Sequence, residues 1–201
     1  MAFKWAESYI GSYMTTYETG YFVGQAALSR GLPPKGQKFH LVIPMEVAGA
    51  PYAVDRSAGF RQALKDAGYK EGTDYTYEEL DAGYETTTTE SRINAYLLGH
   101  PETKVIYNVG GLTTERAGVV VQKLGKKPGE ILVFGNDLLP ETAVAIQKGY
   151  NQGVFYGEQY LIGFMTVVEA YLVLKWNFAP WNIEIGASII DKKNVEASLA
   201  Y

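Results

Sequence analysis

Short β-rich runs alternate along this chain with stretches whose apolar residues recur at helical spacing. Phe39-His-Leu-Val-Ile43 suits a buried strand, and over 54–67 the residues Phe60, Ala63, Leu64 and Ala67 fall on one helical face. Gly68 ends that helix, since a residue without Cβ accepts the left-handed conformation cheaply. The alternation continues with a strand at 75–80, a helix at 90–98, a strand at 105–109 and a helix at 114–124. A strand at 131–134, a helix at 141–148 and a strand at 153–156 follow, then a helix at 160–175 and one last strand over 183–190. Such alternation predicts βαβ units and a mainly parallel sheet covered on both faces, with five or six strands. Right-handed crossovers would gather the loops after Ile43, Val109 and Phe134 at one carboxyl rim, where open sheets bind ligands.

The stretch 160–175 breaks the amphipathic rule. Leu161, Phe164, Val168 and Leu172 form one stripe, while Ile162, Val167, Tyr171 and Leu174 cover much of the remainder. It is short for a membrane span and carries Glu169 near its middle, so a buried helix is expected. Either it runs through the interior of this domain, or its cover comes from a body outside the chain or from a second copy.

Composition narrows the function classes. With 18 Lys and Arg against 22 Asp and Glu, the net charge of −4 gives no electrostatic reason to expect nucleic acid. The absence of cysteine excludes disulfides and Cys-ligated metal sites. Residues 1–7 lack the apolar run of a secretory signal. The two histidines, His40 and His100, have no ligand-spaced partner and are read as structural, so no metal and no cofactor are expected. No nucleophile elbow, Walker A or dinucleotide fingerprint follows a strand, and Gly20-x-x-x-Gly24 reads as close helix packing. A binding role is therefore preferred to an enzyme.

Five segments, in order, resemble the type I periplasmic sugar-binding proteins, the ribose- and galactose-receptor family related to LacI-type repressors. Tyr9-Ile-Gly-Ser12 and 20–28 are similar to the crossing into the C-terminal lobe and its first helix. Arg56-Ser-Ala-Gly-Phe60 resembles the family's R-x-x-G-F after its ligand loop, and 100–106 its lead into the next strand. Val133-Phe-Gly-Asn-Asp137 and 157–163 resemble two further strand ends. The resemblance implies half of a two-lobe fold: a three-layer Rossmann-like α/β lobe over 1–156, and a crossing-back helix and strand over 157–201 normally shared with an absent first lobe. The helix over 160–175 would then pack on that lobe or on a second copy. The implied activity is capture of a small polar ligand, a sugar or polyol, for an ABC permease outside the cytoplasm. The alternatives are a truncated lobe that homo-oligomerises and the effector domain of a LacI-type regulator.

A sugar site needs groups that hydrogen-bond adjacent hydroxyls in pairs, and aromatic faces for the ring. Arg56 and Asp137 match the family's ligand-contacting positions; otherwise Arg56 is a solvated first-turn residue and Asp137 a helix N-cap before Pro140. Asn108 and Gly110 stand near a third contact, where the glycines either admit a ligand to the backbone or only make a turn. Tyr52 and Glu46 lie in the first rim loop, within reach of a ligand or simply on the surface. Gly157 departs from the glutamine often found there.

Overall fold

The computed structural model describes residues 8–199, so the signal-peptide reading of 1–7 falls outside the described residues. The chain runs β1 (Ile10–Ser12), α1 (Thr16–Leu28), β2 (Phe39–Met45), α2 (Pro51–Asp66), β3 (Tyr75–Asp81), α3 (Thr86–Gly99), β4 (Thr103–Tyr107) and α4 (Gly111–Lys123). It continues through β5 (Leu132–Asn136), α5 (Pro140–Lys148), β6 (Gly153–Tyr156), α6 (Gln159–Trp176), β7 (Ile183–Ile185), β8 (Ser188–Ile190) and α7 (Val195–Ser198). Thr15 and Glu18 close a capping box on α1: the Thr15 hydroxyl accepts from Glu18 N, and the Glu18 carboxylate accepts from Thr15 N at 2.8 Å.

Six strands form the main sheet in the order β3-β2-β4-β5-β6-β8. The first five run parallel, and β8 pairs antiparallel with β6. Strand β2 is buried along its length, and its side chains alternate between the two faces. Leu41, Ile43 and Met45 join Val23, Ala27, Phe60 and Leu64 under α1 and α2, while Val42 joins Ile93, Leu97 and Val121 under α3 and α4. Val105 and Tyr107 against Ile106, and Phe134 against Val133, repeat the division on β4 and β5. Phe60 stacks on Tyr107 with ring centroids 4.2 Å apart, fixing α2 over the centre of the sheet.

The glycine pattern in α1 is packing. A Cβ on Gly20 would overlap the Arg56 carbonyl, and one on Gly59 the Tyr17 carbonyl, so the two backbones touch along this seam.

Two expectations need correction. The strand foreseen over 183–190 is two strands in two sheets: β7 pairs with β1 in a separate two-stranded ribbon, and after Gly186 the chain turns so that β8 joins β6. Period and propensity continue through that turn, so they did not reveal the change of partner. The second is the interior course, one of the two readings of 160–175, because that helix is uncovered within the described residues. Val167 is 70% and Leu174 87% exposed, whereas its one acidic residue, Glu169, is 5% exposed and accepts a hydrogen bond from Trp181 N at 2.8 Å. Among the described residues no helix is long and apolar enough to cross a membrane.

Candidate functional site

The strand order reverses between the parallel strands β2 and β4: the chain passes from β2 to β3 on one side and from β4 to β5 on the other. At such a switch point the two following loops diverge and leave a crevice outside the carboxyl ends. All six residues singled out from sequence come to this edge, in two tiers.

The lower tier builds the floor. The Glu46 carboxylate accepts from Leu112 N at 2.6 Å and from Thr113 N at 3.2 Å, capping α4 across the switch point. Gly110, the helix N-cap residue, has no side chain to do this, and a Cβ there would overlap the Glu46 carboxylate. Two donors at the amino end of α4 are thereby satisfied by the protein's own anion. Asn108 is fully buried: its Nδ2 donates to Phe134 O at 2.9 Å, and its main-chain carbonyl accepts from Asn136 Nδ2 at 2.8 Å, tying β4 to β5.

The upper tier presents polar groups. Arg56 sits in the second turn of α2, and its Nη1 donates to Val109 O at 2.6 Å, spanning the crevice. Its guanidinium lies 5.7 Å from the Tyr52 ring, and its buried Nε carries no hydrogen bond. Tyr52 donates a long 3.4 Å bond to Glu46, and burial beside that carboxylate pushes its phenol pKa up.

Asp137 leaves β5 with φ of 67°, a left-handed conformation uncommon outside glycine and asparagine or aspartate. The alternative reading as a helix cap fails, because Leu139 occupies the N-cap of α5 and Pro140 its first turn. Gln159 Nε2 donates to Asp137 Oδ1 at 2.7 Å. Burial raises the Asp137 pKa, while the nearby Arg56 charge and the Gln159 bond pull it back toward the ionised form. Gln159 was missed from sequence. The signal was the departure at Gly157, two residues before this amide at the first residue of α6.

The rim thus combines a guanidinium, a carboxylate with its amide, and an aromatic face. Such a set binds adjacent hydroxyls in pairs.

Comparison with known proteins bears on this geometry. Residues 14–177 match the periplasmic binding protein domain family. The chain belongs to this family. The periplasmic-binding-protein lobe is 29% identical to the xylose/arabinose-binding protein XylF of Sulfolobus acidocaldarius, over 95% of this chain but 46% of that protein. It superposes with a TM-score of 0.73 on an ABC transporter solute-binding protein from Burkholderia graminis in complex with D-arabinose, at 20% identity, covering 98% of this chain and 65% of that one. A solute-binding protein from Actinobacillus succinogenes with bound D-allose gives a TM-score of 0.73 at 17% identity, covering 94% and 64%. The periplasmic-binding-protein lobe therefore spans about half the length of the curated relative, and under two thirds of the solved structures.

Proposed function

We propose that this chain is the C-terminal half of a sugar receptor that delivers its ligand to an ABC permease outside the cytoplasm. In this reading 8–156 form one wall of the cleft, and 157–199 cross toward a first lobe that supplies the other. The observation that carries it is that Arg56, donating to Val109 O, and the Gln159-bonded Asp137 stand together at the carboxyl edge of the sheet. The family match and the pentose and hexose ligands named for its relatives favour a monosaccharide. Capture needs no chemical step; closing two lobes dries the cleft and strengthens each polar contact.

The test is titration calorimetry of pentoses and hexoses against this chain joined to the rest of its receptor. One aldose should bind, and Arg56→Ala and Asp137→Ala should each weaken it by about 10- to 150-fold, the cost of losing a charged hydrogen-bonding group. Silence across the panel, or unchanged affinity in both variants, defeats the reading.

A second role has its own observation. The uncovered apolar surface of α6 favours self-association of the chain wherever the first lobe is lacking.

A further inference from the structure

Both histidines of the chain meet at the amino edge of the sheet, opposite the crevice, although 60 positions separate them. His40 opens β2 and is buried; His100 caps the end of α3, and the two rings stack with centroids 5.6 Å apart. Glu78 on the edge strand β3 completes the group, with one ligand atom from each residue within 4.8 Å of the others. We propose that His40, Glu78 and His100 form a binding site for a divalent transition metal, best suited to Zn²⁺, that clips the β3 edge of the sheet.

Three features support it. First, the ligand set is two imidazoles and one carboxylate, which suits zinc and disfavours magnesium or calcium. Second, each ring already has an oxygen partner on Nδ1: Thr76 Oγ1 at 2.9 Å for His40 and Glu102 Oε1 at 3.2 Å for His100. Outer partners of this kind orient metal-binding histidines and leave Nε2 for the ion. Third, the distances are close to those needed. Zinc bonds of 2.0–2.2 Å place ligand atoms about 3.3 Å apart, so the group must contract by roughly 1.5 Å. Glu78 is exposed and His100 half-exposed, so both can move while the buried His40 stays.

The Tyr96 hydroxyl now bridges the gap, 2.7 Å from His40 Nε2 and donating to Glu78 Oε2 at 3.0 Å. The ion would take over this bridge, with water in the remaining position because Glu78 faces solvent. Its bonds would join β2, β3 and the α3–β4 turn, a structural staple far from the ligand crevice.

Thermal melts of the whole chain with ZnCl₂, MgCl₂ or chelator test this. Zinc at 100-fold over its Kd should raise Tm by about 5–10 °C, and magnesium should not. His100→Gln and Glu78→Gln each alter an accessible side chain, and each should abolish the zinc shift while leaving the metal-free melt near that of the parent. No shift with zinc, an equal shift with magnesium, or a shift retained in either variant overturns the site.

Discussion

Gly110 and Glu46 show how one side chain depends on the absence of another. The Glu46 carboxylate caps α4 only because Gly110 leaves room for it. Gly110→Ala should therefore destabilise the lobe by about 1–3 kcal/mol, through overpacking and loss of the cap. In a Glu46→Ala background the same change should cost much less, and urea denaturation of the double-mutant cycle measures that coupling. Asp74 gives a pH-dependent case. Its carboxylate accepts from Lys70 N at 2.8 Å and Gly36 N at 2.9 Å, and these backbone bonds hold its pKa below the ordinary aspartate value. A depressed folded pKa means stability that is present above the unfolded value and lost as pH falls through the folded one. Asp74→Asn should thus lower Tm at pH 7, and the gap from the parent should shrink as the pH drops below about 4. A gap independent of pH would show that the ionised carboxylate is not what matters there.

Helix α6 poses the packing question most sharply. Tyr160, Phe164, Val167, Tyr171 and Leu174 are exposed, an arrangement that favours cover by a partner or association of copies. The chain alone should self-associate in sedimentation experiments, and Val167→Glu with Leu174→Glu should return it to monomer. Those two changes should alter the stability of the lobe itself by no more than about 0.5 kcal/mol, because neither residue belongs to its core. The seam between α1 and α2 is the contrasting case, closed to a single added methyl. Gly20→Ala should cost about 1–3 kcal/mol by pushing the helix backbones apart.

On the proposed reading the rim is one wall of a cleft, and binding by one wall leaves ligand hydroxyls and water in contact. Calorimetry with this chain alone should show no sugar heat at micromolar protein, whereas joining the first lobe should restore it. Micromolar binding by the chain alone would mean that Arg56, Tyr52 and Asp137 suffice without closure.

Much of this was legible in the sequence because it is locally encoded. Period-2 and helical spacing place β2 to β6 and α2 to α6 within a few residues, and Arg56-Ser-Ala-Gly-Phe60 and Gly-Asn-Asp137 mark two groups on the rim. The apolarity of α6 on every side was also readable, since it is a property of the run itself. What only the tertiary structure decided are pairings set by register and crossover. Glu46 caps a helix, bonding the backbone of a residue 66 positions away. Ile183 and Ile190 parted into different sheets. His40 and His100, unremarkable apart, came face to face because the α3–β4 turn brings the end of one helix beside the start of β2. Local sterics determine what each segment becomes, but the distance between segments is set by how their faces pack, and that information is spread over the whole core.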